Sequence, residues 1–286
     1  MALKKIFLNS GNLKTYGPNQ SFGNHLSHLL FCYNFSKKRG YELVIPIESN
    51  LDEVFELQTF KHSNQLELIN YFSEAFSHNI SELCELDQSN LKTSLQILND
   101  KNLIIPNNVC FSGWFYNVPL YCKTFFEEIK IKKNILDFIN LNFSRIMSRD
   151  SICLHYRGSD FNGHLGHDLR LPFEYYEKCI KHLNKNHKNI KNIFVFSDDA
   201  NKAKELISFI HQIDNSYNIE FLQNEYNIDW TCLHLAHNII SSNSSFCLTA
   251  CLKKEIIYQP KKYQLRNTTI DTVYPSQPFF ENSYIL

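Results

Sequence analysis

Residues 151–161, SICLHYRGSDF, set an apolar run directly against a polar turn. Ser151 to His155 reads as a short strand, and Tyr156, Arg157, Gly158, Ser159 and Asp160 follow it. Arg157 can present a planar fork of N–H donors to a diphosphate. Gly158 lets the backbone turn tightly or approach a ligand closely. Asp160 falls just past the strand end, where open α/β sheets bind ligands. The same residues also fit a surface turn closed by an Arg–Asp pair. Further along, IFVFSDD ends an apolar run in Asp198 and Asp199. Either carboxylate can accept from the N–H groups of a guanine or cap the following helix. In NIISSNSSFCLTACL, Ser244 and Ser245 stand at a predicted helix start. Their hydroxyls and amides can hold a phosphate or simply cap the helix. Gly23 and Asn24 open another predicted helix, whose first amides can face an anion. His25 and His28 lie three apart on that helix and share a face. No acidic or cysteine ligand is spaced with them, so they read as polar-face histidines and no metal site is predicted.

These stretches together carry a resemblance. HYRGSD resembles the His-x-Arg-x-Gly-Asp signature of glycosyltransferase family 11, the bacterial and animal α-1,2-fucosyltransferases. The family usually has a second arginine directly after the first; here Gly158 and Ser159 precede Asp160. FGNHLSHLLFCYNFSKKRG is similar to the family's Gly-Leu-Gly-Asn-Gln segment and apolar helix, with Gly23 and Asn24 matching. IFVFSDD is similar to its strand ending in Ser-Asp-Asp, and Asn243, Ser244, Ser245 and Phe246 to its late Asn-Ser-Ser/Thr-Phe segment. The resemblance implies an α/β chain of two Rossmann-like domains facing a cleft, a GT-B-like fold. It implies inverting, metal-independent transfer of fucose from GDP-fucose to a 2-hydroxyl of a galactose-containing glycan. It assigns Arg157 to the donor diphosphate. Asp160 is then either the base oriented on the acceptor or the partner that fixes Arg157. Donor contacts are implied for Gly23, Asn24, His155, Arg157, Asp198, Asp199, Asn243, Ser244, Ser245 and Phe246. Use of a different nucleotide-sugar, or binding of one without turnover, are the alternatives.

The elements that must hold these residues follow from periodicity. In the first part, Leu3–Leu8 reads as a strand, Asn24–Lys38 as a helix stopped by Gly40, and Glu42–Ile45 as a strand. LDEVFEL and LELINYFSEAF fit short amphipathic helices, or an irregular insertion that shapes an acceptor cleft, and Leu103–Pro106 a strand. Trp114, Phe115, Tyr116 and Tyr121 fit either core packing or stacking on a sugar or base. Residues 127–150 carry a helical pattern, with a domain junction near its end. The expected division is therefore 1–150, an acceptor-side domain, and 151–286, the nucleotide-sugar side. In the second part, strands at 151–155, 193–196, 219–222, 238–242 and 256–258 alternate with helices from Pro172, over 202–213, 230–236 and 245–252. Such alternation predicts a buried, mostly parallel sheet with its loops on one rim.

Composition bounds the partners. With 29 basic and 29 acidic residues in 286, the formal net charge is zero, so no global field draws nucleic acid or an anionic membrane. Nine cysteines without a CxxC pair read as reduced thiols, and Cys153, Cys232, Cys247 and Cys251 as small core residues. No apolar run reaches the length of a membrane span. Nor does the N-terminus read as a signal peptide. Joined to the family resemblance, these absences imply a bacterial-type cytoplasmic enzyme, at most peripheral to the inner membrane. Its partners would be a nucleotide-sugar donor and a glycan acceptor. No GxSxG elbow or HExxH pair supports hydrolase chemistry.

Overall fold

A computed structural model of the chain describes residues 4–8, 22–46, 49–57, 60–63, 76–79, 108–112, 124–158, 170–252, 254–260 and 283–286. The chain divides into two compact units, Met1–Lys133 and Asn134–Leu286. The division falls earlier than the expected junction at 150. A helix at Lys133–Asn142 and a 3-10 turn at Ser144–Met147 lead into the second unit, and that turn packs against its first strand.

The first unit contains β1 (Lys5–Phe7), α1 (Phe22–Arg39), β2 (Glu42–Pro46), β3 (Phe55–Glu56), β4 (Lys61–Ser63), β5 (Phe76–Asn79), β6 (Asn108–Ser112), α2 (Phe125–Glu128) and β7 (Lys130–Ile131). A five-stranded sheet runs in the order β4-β2-β1-β6-β5, all parallel, and β3 pairs antiparallel with β7. Gly40, at φ +71°, ends α1 in the left-handed region that costs glycine nothing, and the amides of Gly40 and Tyr41 both reach Ser36 O. The segment LDEVFEL forms a 3-10 turn (Asn50–Glu53) and the strand β3 rather than an amphipathic helix. Ser49 caps the turn, and Phe55 is fully buried beside Phe22 and Phe125. Strand β6 was not anticipated, because its aromatic surroundings mask any period-2 signal. Pairing beside β1 makes it a central strand. The expected strand Leu103–Pro106, the aromatic residues Trp114 to Tyr121 and most of LELINYFSEAF lie outside the described residues.

The second unit contains α3 (Lys133–Asn142), β8 (Ser151–Tyr156), α4 (Phe173–Asn186), β9 (Asn192–Ser197), α5 (Ala200–Ile213), β10 (Asn218–Leu222), α6 (Tyr226–Leu235), β11 (Asn238–Ile240), α7 (Ser245–Ala250), β12 (Ile256–Gln259) and β13 (Ser283–Ile285). Its six strands run β10-β9-β8-β11-β12-β13, all parallel. Numbered within the unit, that order is 3-2-1-4-5-6, the order of a dinucleotide-binding Rossmann sheet. Ile152, Leu154 and Tyr156 of β8 share a buried cluster with Tyr176, Ile180, Ile193, Val195 and Leu206, which places α4 and α5 on one face. The alternate residues Ser151, Cys153 and His155 lie on the opposite face, as a period of two requires. Pro172 is the N-cap of α4 rather than its first helical residue. Helix α6 starts at Tyr226, earlier than expected, and Trp230 joins it to α7 by donating from Nε1 to Thr249 Oγ1 at 3.1 Å. Cys32, Cys153, Cys179, Cys232, Cys247 and Cys251 are buried thiols outside any disulfide, as core residues.

Candidate functional site

Strand order places the crevice of this sheet between β8 and β11, where the chain reverses direction across the sheet. Ligands of open α/β sheets bind at such a switch point, outside the carboxyl ends of the strands. The seam is tied at both ends. At the amino end, Asn238 donates to Ser151 O at 2.8 Å. At the carboxyl end, two consecutive tyrosines in the first turn of α4 donate to carbonyls at or just past the strand ends. Tyr175 donates to Ser241 O at 2.9 Å and Tyr176 to His155 O at 3.2 Å. A buried carbonyl left without a donor costs about 1–3 kcal/mol, so these phenols fix where the two strands end.

Arg157 leaves the end of β8, and its Nη1 lies 2.9 Å from Asp198 Oδ2, at the end of the neighbouring strand β9. Both side chains are mostly covered, 20% and 25% exposed. Asp198 Oδ1 also accepts from the Gly158 amide at 2.8 Å. One carboxylate therefore holds both the guanidinium and the turn that follows it. Gly158 is required here: a Cβ at that position would sit 2.7 Å from Asp199 Cβ and 3.1 Å from Tyr156 Cε1. Asp199 has a separate task. Its Oδ1 accepts from Lys202 N–H at 3.0 Å, the N-cap of α5.

His155 is buried, and its Nδ1 lies 2.7 Å from Ser242 Oγ. Burial lowers the imidazole pKa to about 4; the Asp198 carboxylate opposes that shift, and the Arg157 guanidinium adds to it. The His155 ring is tilted against Phe246, centroids 5.7 Å apart. Ser242 Oγ also accepts from Ser244 N–H at 3.2 Å, and Ser244 Oγ caps α7 by accepting from Phe246 N–H at 3.3 Å. A closed circuit of contacts thus runs His155, Ser242, Ser244, Phe246 and back to His155.

Of the residues expected at the site, the structure brings His155, Arg157, Asp198, Ser244 and Phe246 to the carboxyl rim of β8, β9 and β11. Asn243 and Ser245 flank Ser244 there, both partly exposed. Asp199 sits on the same rim as a helix cap. Gly23 and Asn24 stand in the first turn of α1, in the other unit, where Gly23 O accepts from Ser27 Oγ at 2.9 Å. Asp160 and Ser159 lie outside the described residues. His25 and His28 are buried rather than on a polar face, because α1 is covered on nearly every side. His25 Nδ1 is 3.0 Å from Asn50 Oδ1, and burial lowers its pKa. Among the described residues no three His, Cys, Asp or Glu side chains converge in a way that could hold a metal ion. No helix among them is long and apolar enough to cross a membrane. Ser242, Tyr175 and Tyr176 were not anticipated as site residues. Ser242 reads as the end of a strand, and Tyr176 as part of an apolar helix face. Only the tertiary pairing of β8 with β11 gives them partners.

No family model matches the chain, and no curated protein does. The resemblance to glycosyltransferase family 11 therefore rests on its short motifs. Solved structures do match. A crystal structure of the fucosyltransferase NodZ from Bradyrhizobium has a TM-score of 0.52 at 12% identity, over 89% of this chain and 95% of that one. A structure of NodZ α-1,6-fucosyltransferase soaked with GDP-fucose has a TM-score of 0.51 at 12% identity, over 89% and 94%. At that identity the likeness is one of fold. The chain has two α/β Rossmann-like lobes, each with a central parallel sheet, and its fold is GT-B-like.

Proposed function

We propose that the chain is a fucosyltransferase of the family 11 type, which transfers fucose with inversion from GDP-fucose to a hydroxyl of a galactose-containing glycan, in α-1,2 linkage. The observation that carries this reading is the Arg157 guanidinium, held by Asp198 at the switch point of a Rossmann sheet. A mostly covered arginine at the carboxyl rim suits a diphosphate leaving group. Its guanidinium is a planar fork of N–H donors matched to phosphate oxygens, and Asp198 orients it through Nη1 at 2.9 Å. The motif resemblance supplies GDP and fucose, and the NodZ α-1,6-fucosyltransferase structure was soaked with GDP-fucose.

In this reading the second unit holds the donor and the first unit receives the acceptor. The acceptor hydroxyl attacks the anomeric carbon while the bond to the β-phosphate oxygen breaks, and negative charge grows on the diphosphate. Arg157 stabilises that charge, which is where the catalytic demand is largest. Asp198 orients Arg157 and the Gly158 turn. Asn243, Ser244, Ser245 and Phe246 line the facing side of the crevice. Asp160 is the candidate base. The family resemblance makes the reaction metal-independent.

The reading is tested by incubating purified protein with a panel of nucleotide-sugars and galactoside acceptors, and weighing the products by mass spectrometry. GDP-fucose should give transfer where UDP-sugars do not. Productive transfer from a UDP-sugar alone would replace the donor assignment. That second reading is kept because Gly158 and Ser159 stand where the family has a further arginine. Binding with no transfer across the panel would make the chain a nucleotide-sugar-binding protein.

A further inference from the structure

We propose that Ser242 fixes His155 as its neutral Nε2–H tautomer, so that this imidazole serves as a hydrogen-bond donor to the diphosphate and not as an acid–base group. The proposal rests on the transferase reading for its ligand, but its first half is a property of the free protein.

The argument is an account of one proton. Ser242 is fully buried, and its hydroxyl carries one hydrogen and two lone pairs. Its oxygen has two partners among the described residues, Ser244 N–H at 3.2 Å and His155 Nδ1 at 2.7 Å. The Ser244 amide is a donor, so it fills a lone pair and cannot take the hydroxyl hydrogen. Among the described residues, His155 Nδ1 is then the one acceptor that Ser242 Oγ meets. Were Nδ1 itself protonated, the Ser242 hydrogen would be buried without an acceptor, a loss of about 1–3 kcal/mol. The hydroxyl therefore donates to Nδ1, and the single ring proton of a neutral imidazole resides on Nε2.

Neutrality has its own cause. The ring is enclosed against Phe246; burial is the largest influence and disfavours the charged form, the Asp198 carboxylate opposes it, and the Arg157 guanidinium adds to it. The remaining geometry holds the ring still. Tyr176 anchors the His155 carbonyl, and Ser242 ties the ring to the start of α7. A neutral N–H donor can stabilise charge developing on a phosphate oxygen without moving a proton. With its lone pair engaged by Ser242 and its basicity this low, His155 is unsuited to deprotonate an acceptor hydroxyl. Ser242 is accordingly a positioning residue that acts through His155.

The test uses full-length protein labelled with ¹⁵N-histidine, observed by two-bond ¹H–¹⁵N correlation, with His155→Gln to assign the signal. Free wild-type protein should show a pyridine-type Nδ1 and a protonated Nε2, unchanged between pH 5.5 and 8. Ser242→Ala should give mixed tautomers and weaken GDP binding by about twofold, the loss when roughly half of the imidazole is in the donor form. Ser242→Thr keeps the hydroxyl and should recover the single tautomer. A protonated Nδ1, or titration near pH 6.5, would overturn the proposal even if GDP binds tightly. The tautomer spectrum needs no nucleotide, so it separates the two failures. An Nε2–H tautomer in a protein that does not bind GDP would sustain the role of Ser242 and overturn both the diphosphate role and the transferase reading.

Discussion

At the scale of single residues, the account turns on Arg157 and on the carboxylate that holds it. Arg157 was legible in the sequence because an arginine and a glycine follow an apolar run at a strand end. Its partner was not legible as such: Asp198 looked like a nucleoside contact, and only the pairing of β8 with β9 brings it to Arg157. Arg157→Ala should lower kcat/KM at least roughly tenfold, equivalent to about 1.4 kcal/mol of lost transition-state stabilisation. Arg157→Lys should rescue little, since a point charge cannot reproduce a planar fork. A folded Arg157→Ala enzyme with wild-type kcat/KM would remove Arg157 from the mechanism. Asp198→Asn separates the two roles of Asp198. If Asp198 positions Arg157, the variant should weaken GDP and UDP binding by similar factors in calorimetric titration. If it reads the base, the preference for GDP should collapse while UDP binding is little changed.

At the scale of elements, the alternation of strand and helix after Ser151 was readable because buried parallel strands are short apolar runs between amphipathic helices. Limits shifted where side chains take over from the backbone pattern. The expected strand 238–242 ends at Ile240, since Ser241 and Ser242 turn to meet Tyr175 and His155. Asp199 shows how a sequence signal can carry two meanings. A Ser-Asp-Asp strand end suits both a nucleoside and a helix cap, and the structure commits the Asp199 carboxylate to Lys202 N–H. Asp199→Ala should therefore destabilise the protein by about 1 kcal/mol in denaturant unfolding, the usual cost of losing an N-cap, while Asp199→Asn should stay near wild type. Equal stability of Asp199→Ala and wild type would show that the cap contributes nothing.

At the scale of the whole molecule, the strand order 3-2-1-4-5-6 makes scattered motifs into one rim, and no local pattern announces that order. Desolvation also acts on Asp229 of α6, a half-buried carboxyl whose pKa it raises to about 7, against the pull of the hydrogen bonds from Asn224. A carboxyl raised in the folded state contributes stability that is fully present below its unfolded value near 3.8 and is lost as pH rises through about 7. His155, whose pKa is lowered, works in the opposite sense, so the comparison must be made between variants. Relative to Asp229→Asn, wild-type protein should lose thermal stability between pH 4 and 8; parallel melting temperatures across that range would contradict the assignment. The central claim, a nucleoside diphosphate held at the β8–β11 switch point by Arg157, is tested most directly by calorimetric titration of GDP into wild type and Arg157→Ala. The account predicts a measurable GDP complex in the wild type, weakened at least roughly tenfold by the substitution, equivalent to about 1.4 kcal/mol of binding energy. Absence of GDP binding, or equal binding by both proteins, would contradict it.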